Sequence, residues 1–290
     1  MADVYLHNSK HKDYIRDKWV EFASDIIEEE GGLKVITFPA EELHDLRLFV
    51  ERGLISWEQT ETGAYYITKG KVVCFKKDSK VFAAISSLLC NATVEQYEIG
   101  AYLRDKYNTI MDGKSKIFPV DVVNLDYDGC IAKGDIPIYE IFKLVFEYQA
   151  RHQKKFSLFV TWPQTEADDD DVYKNLLKKT IGDNLNDPRA VSFKEGFEAT
   201  YQNAAELNYN QLSIIGLSKI IIQKATNHGY NLHKNEFYIY RENEQDHMFS
   251  ILLNFDYEAD TPEYALYANS VVKSLAEIKE LGATATEPAA

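Results

Sequence analysis

Two short apolar runs set the terms for how this chain can fold. Residues 120–125 are apolar apart from Asp121 and Asn124, and residues 156–161 form a second such run. Neither alternates in the way a half-solvated strand does. Both read as strands buried on two faces, and such strands need helices above and below them. The rest of the chain supplies those layers. Tyr14, Ile15, Trp19, Phe22 and Ile26 stand at helical spacing within residues 12–30, and Gly31-Gly32 stops the run. A strand is expected over 33–38, a helix from about 41 to 51, β character over 64–68, a strand over 72–75 and an apolar helix over 79–90. An amphipathic helix is expected over 136–151.

Further along, a helix is expected over 171–181, with Asp168 to Asp171 at its start and Lys178-Lys179 at its end, an order that suits the helix dipole. Helical pattern over 194–228 is expected to break near Gly216 or near Tyr209-Asn210. Strands at 236–241 and 248–255, joined by the polar residues 242–247, read as an antiparallel hairpin. A closing helix is expected over 263–281. The expectation is an α/β three-layer sandwich, its sheet mostly parallel, with an antiparallel C-terminal hairpin strand. Residues 1–30 are expected as an N-terminal helical extension, 31–282 as the main domain and 283–290 as a flexible tail.

Composition narrows the function. Across 290 residues, 46 acids face 32 bases, for a formal charge of −14. Such a chain repels phosphate backbones, so nucleic acid is expected only through a local basic patch or with a charged partner's help. No run approaches 18 consecutive apolar residues, and Met1 to Lys12 is polar, so neither a membrane span nor secretion is expected, and the setting is read as cytoplasmic. Cys74, Cys90 and Cys130 lack CxxC spacing, and the seven His show neither HExxH nor HxH. No metal site and no disulfide framework are expected.

The segment Asp121-Val-Val-Asn-Leu-Asp-Tyr-Asp-Gly129 carries the chemistry. An apolar strand delivers Asp126 and Asp128 just past its carboxyl end, where ligands sit in open α/β sheets, and Gly129 lets the backbone turn. An Asp-Gly turn alone would account for part of this pattern. Trp162, at another strand end, is placed either to stack on a purine or to anchor a packed loop.

Leu125, Asp126 and Gly129 resemble the fourth-strand motif of class I methyltransferases, in the L-D-P-[FY]-G form of the tRNA dimethylguanosine enzymes. Tyr127 and Asp128 depart from it. Val160-Thr161 is similar to the Val-Thr that ends the fifth strand of those enzymes, and the terminal hairpin resembles their reversed sixth and seventh strands. The resemblance implies a Rossmann-like fold that binds S-adenosylmethionine and transfers its methyl group. It puts Phe38, Pro39, Ala40 and Glu42 at the methionine part, Asp78 at the ribose, and Asp126 and Asp128 at the transfer site. Two departures stand out: Pro39-Ala40-Glu41-Glu42 replaces a Gly-rich loop, and Lys76-Lys77 precede the second-strand acid. They leave open a non-catalytic methyltransferase-like module that binds a partner protein. Exchange of Asp126 for Asn is expected to abolish activity and spare the fold.

The same residues also resemble the first motif of haloacid-dehalogenase-type phosphatases, hhhhDxDG[TV], with Cys130 in place of the usual Thr. That resemblance implies Asp126 as nucleophile, Asp128 as general acid and a Mg²⁺ ion held by both. Thr161 and Gly182–Asp187 imitate its second and fourth motifs. Only 21 residues separate Thr161 from Asp183, and the residues before the fourth motif, LLKKTI, make a poor buried strand. The methyltransferase reading is the stronger of the two.

Overall fold

Four strands rich in β-branched residues form the centre of the sheet: β1 (Val35–Thr37), β4 (Val72–Phe75), β7 (Val122–Asp126) and β8 (Phe156–Pro163). Their side chains are buried on both faces, apart from the last residues of β7 and β8, as the two apolar runs require. The computed structural model describes residues 10–27, 32–129, 131, 135–163, 171–188, 190–201, 205, 207–241, 247–258 and 278–281. With β6 (Thr93–Glu95), β9 (Tyr230–Arg241), β10 (His247–Tyr257) and β11 (Ile278–Leu281), these strands form one sheet in the order β11-β9-β10-β8-β7-β1-β4-β6. The central pairs are parallel, whereas β10 runs antiparallel to both β8 and β9. The hairpin expected from sequence is thus in place.

Each face of the sheet carries its own apolar layer. Val35, Val72, Cys74, Val122 and Phe159 pack under α1 (Lys10–Ser24), α2 (His44–Glu51) and α3 (Ser79–Leu88). Ile36, Val73, Val123, Leu125 and Val160 pack under α4 (Ile99–Asp105), α5 (Tyr107–Met111), α6 (Ile138–Ala150) and α9 (Tyr209–Thr226). Alternation along each strand makes this division, because neighbouring side chains point to opposite faces. The α6 side also closes a backbone gap: the Gln149 amide donates to the Val120 carbonyl at 2.7 Å, and its oxygen accepts from the Val120 amide at 3.1 Å. The N-terminal helix is part of this packing, with Ile15, Trp19, Phe22 and Ala23 buried. The Asn254 amide, on β10, anchors its end by donating to the Phe22 carbonyl at 3.0 Å.

Several elements differ from the sequence reading. A small second sheet, of β2 (Trp57–Gln59), β3 (Tyr65–Ile67) and β5 (Leu89–Cys90), sits outside the main one. Only β3 has a sequence signal, since two- and three-residue strands are too short to show a period. The expected helix 171–181 runs on as α7 (Asp171–Asn186), so the residues that imitate a phosphatase fourth motif lie at the end of a helix, with Asp187 just past it. The expected long helix divides into α8 (Val191–Thr200) and α9, and Asn208 starts α9 with a capping box to Gln211. Gly216 does not break α9. It lets the helix approach α7, because a Cβ there would stand 2.9 Å from the Leu177 side chain. Of the expected closing helix, residues 278–281 are the strand β11, paired parallel to β9, and 263–277 lie outside the described residues. Cys130 and Asp168 to Asp170 also lie outside them. Trp162 is packed in the core, 5.2 Å from the Phe249 ring, and is not available for stacking on a ligand.

The close approach at Gly216 makes a direct test of the α7–α9 packing. Gly216→Ala should destabilise the protein by about 1–3 kcal/mol through overpacking, despite the better helix propensity of Ala. Urea denaturation of the two proteins measures it, and an unchanged midpoint would show that Leu177 gives way freely.

Candidate functional site

From β1 the chain builds outward through β4 to β6, then returns to place β7 on the other side of β1. The crevice between the carboxyl ends of β1 and β7 is therefore the topological switch point, where open α/β sheets take their ligands. Phe38 follows β1 and Tyr127 follows β7. Their rings meet edge to face at 5.4 Å and pack on the α6 side of the sheet. The Tyr127 hydroxyl is buried and has no hydrogen-bond partner among the described residues. Burial, with Glu98 nearby, holds its pKa well above the usual phenol range.

Asp126 ends β7, and by alternation its side chain lies on the α1 face. There it meets a residue that the sequence reading missed. Lys12 Nζ donates to both carboxylate oxygens of Asp126, at 2.6 and 2.7 Å. The two side chains are 4% and 18% exposed, so the pair is nearly enclosed. One turn along α1, Arg16 donates to Asp45 of α2 at 2.8 Å, and to Asp13 at 3.0 Å. Lys12, Arg16, Asp45 and Asp126 thus form a charge-balanced quartet that docks α1 over the switch point. Burial disfavours the Lys12 ammonium, but Asp126, Tyr240 and Asp45 outweigh it and hold its pKa above the ordinary lysine value. Burial, with Asp45 nearby, holds the Asp126 carboxyl above its ordinary value, against the downward pull of Lys12.

The other sequence-derived residues are distributed along the same edge. Pro39 is buried, Ala40 half-buried and Glu42 exposed in the turn between β1 and α2. Leu43 closes that turn with φ 56°, and no side chain caps the N-terminus of α2. Asp78 follows β4, where its Oδ1 accepts from the amides of Lys80 and Val81, both at 2.9 Å, and caps α3. These bonds lower its carboxyl pKa, Val81 contributing most, and Oδ2 remains open to solvent. Asp128 is exposed beyond Tyr127. The structure brings Phe38, Asp126 and Tyr127 together at the crevice, and leaves Asp78 and Asp128 on its rim. No sequence period marks Lys12 as functional, because it sits among the polar residues expected at a helix start.

Thr37 and Asn124 lie beneath α1, in the layer next to Phe159, on which Trp19 stacks. The Thr37 hydroxyl, both side-chain polar atoms of Asn124 and the Trp19 indole nitrogen are buried without a hydrogen-bond partner among the described residues. Among the described residues, no group of three or more His, Cys, Asp or Glu is placed to hold a metal ion. With both Asp126 oxygens held by Lys12 and the imitation fourth motif at the end of α7 and not after a buried strand, the phosphatase resemblance gains no support.

The strand order, with antiparallel β10 between β8 and β9, is the α/β Rossmann-like order expected from the resemblance. No family model and no curated protein matches this chain. Among solved structures it is similar to "StiE O-MT residues 942-1257", with 10% sequence identity, a TM-score of 0.37, and 96% of this chain and 88% of that chain covered. No helix among the described residues is long and apolar enough to cross a membrane.

The quartet changes what replacing Asp126 does. Removing one partner of a buried pair strands the other charge, so Asp126→Leu should cost about 3–5 kcal/mol, and Lys12→Met a similar amount. The double variant should recover most of that loss. Urea denaturation of the four proteins closes the cycle, and additive losses would show that the two side chains are not coupled.

Proposed function

We propose that this chain binds S-adenosylmethionine across the carboxyl ends of β1, β4 and β7 and methylates an acceptor brought to Asp126. The observation that carries this reading is the switch-point crevice, with a carboxylate fixed at the end of its central strand and an aromatic pair beside it. The residues present fit the cofactor at two points. Asp78 has one oxygen committed to α3 and the other open, which suits a ribose hydroxyl. The uncapped amides at the start of α2 suit a carboxylate, here that of the methionine part.

When bound, S-adenosylmethionine supplies an electrophilic methyl group on a sulfonium centre. This chain's own residues do the rest. Asp126 accepts a hydrogen bond from the acceptor's N–H or O–H and so aims its lone pair along the crevice. Lys12 occupies the inner side of the carboxylate, keeping it ionised and in one orientation. Phe38 and Tyr127 wall the crevice on the α6 side and exclude water. Asp128, at the exposed rim, receives the released proton on its way to solvent. A non-catalytic module draws on one observation, the engagement of both Asp126 oxygens by Lys12, and it predicts binding without turnover.

Calorimetric titration with S-adenosylmethionine tests the reading. Micromolar, metal-independent binding is expected. Asp78→Ser keeps a cap on α3 but removes the open oxygen, and should weaken binding about tenfold, or 1.4 kcal/mol. No heat at millimolar cofactor would sink the assignment. Binding that is indifferent to Asp78→Ser would remove Asp78 from the site.

A further inference from the structure

The opposite edge of the sheet carries a charge that the composition hides. Lys71 immediately precedes β4, Lys34 immediately precedes β1, and Lys154-Lys155 precede β8, so cations mark the amino ends of neighbouring strands. Backbone rungs fix their spacing. The Val35 amide donates to the Lys71 carbonyl, the Asp121 amide to the Lys34 carbonyl and the Ser157 amide to the Asp121 carbonyl, each at 2.8 Å. Lys116 joins the row from the loop before β7, where its carbonyl accepts from Lys34 Nζ. Arg151 and His152, both exposed, arrive at the same edge from the end of α6.

These cations feel one another. Burial, with Lys71 and Lys154 alongside and Asp121 in partial opposition, brings Lys34 down to about 8. Burial, with Arg151, Lys34 and Lys154, lowers His152. Asp121 is the acid built into the row, where it accepts from the Lys34 amide at 2.6 Å. Glu258 follows β10 on this side, and Asp112 is taken up by Lys114 at 2.8 Å. In a chain of net charge −14, like charges gathered from four segments onto one edge are, among the described residues, a local reversal of sign.

We infer that the amino edge of the sheet, through Lys34, Lys71, Lys116, Arg151 and Lys154, is a docking surface for a nucleic-acid backbone. The width of the row selects a polyanion over a single anion. From β4 through β1 and β7 to β8 is three strand spacings, about 14 Å. A duplex strand carries one phosphate per about 3.4 Å of axis, so the row spans roughly four phosphates. Cations along a line give affinity without reading sequence. This surface lies at the end of the sheet away from the cofactor crevice, and the inference stands independently of methyl transfer.

The test is fluorescence anisotropy of the full chain with labelled single-stranded and duplex oligonucleotides of mixed sequence, titrated across salt. Binding at low salt is expected, with log K falling linearly against log salt at a slope of about −2 to −4. Lys71→Gln/Lys116→Gln/Arg151→Gln should lose at least tenfold in affinity and flatten the slope by roughly 2, with circular dichroism unchanged. A control that removes three bases elsewhere, Lys178→Gln/Lys179→Gln/Lys194→Gln, should bind as the parent does. The inference is overturned by no binding at about 50 mM salt, by equal loss in the control, or by capture of heparin alone. Calorimetry with S-adenosylmethionine on the same triple variant keeps the two proposals apart, since the crevice is untouched.

Discussion

The contact between Lys12 and Asp126 is the constraint on which the rest of the candidate site depends. A carboxylate at the end of a buried strand, roofed by a helix, is costly unless its charge is answered. Here the answering charge comes from the roofing helix itself, so the interaction that neutralises Asp126 also places α1. Arg16 and Asp45 repeat the arrangement one turn further along and tie α1 to α2. Because the quartet sums to zero, the helix docks without leaving an uncompensated charge in the apolar layer. The expectation that Asp126→Asn would spare the fold does not survive this geometry, since the exchange leaves the Lys12 ammonium buried against a neutral partner.

Sheet topology explains why so much converges on one crevice. The chain reverses its direction of travel across the sheet at β1, so the loops after β1 and β7 lead away to opposite faces and a gap opens between them. Phe38 and Tyr127 close that gap on one face, Lys12 and Asp126 on the other. The same parallel arrangement gathers the residues that precede the strands at the far edge. A row of bases therefore stands at the end of the sheet opposite the Asp126 crevice, although the chain as a whole is strongly acidic.

Much of the fold was legible in the sequence because it rests on short-range periodicity. Residues 122–126 and 156–163 read as buried strands for lack of alternation, and the terminal hairpin for two apolar runs around a polar turn. The antiparallel placement of β10 followed from its likeness to a known strand order. What failed was of another kind. The turn-sized strands β2, β5 and β6 carry no period, although the division between α8 and α9 falls at Tyr209, one of the two places expected for it. Gly216, expected as a breaker, serves a packing contact with Leu177 that no local pattern encodes.

By itself the sequence determined the class of fold, the burial of the central strands and the position of Asp126 at a strand's carboxyl end. Each is set by residues within a few positions of one another. Only the tertiary structure decided that Lys12, which is 114 residues away in sequence, holds that carboxylate. It likewise decided that Asp78 spends one oxygen on a helix cap, and that lysines before neighbouring strands form one row. Those outcomes depend on which strands lie side by side and which face each helix covers. The strand order settles both, and no window of local sequence contains it.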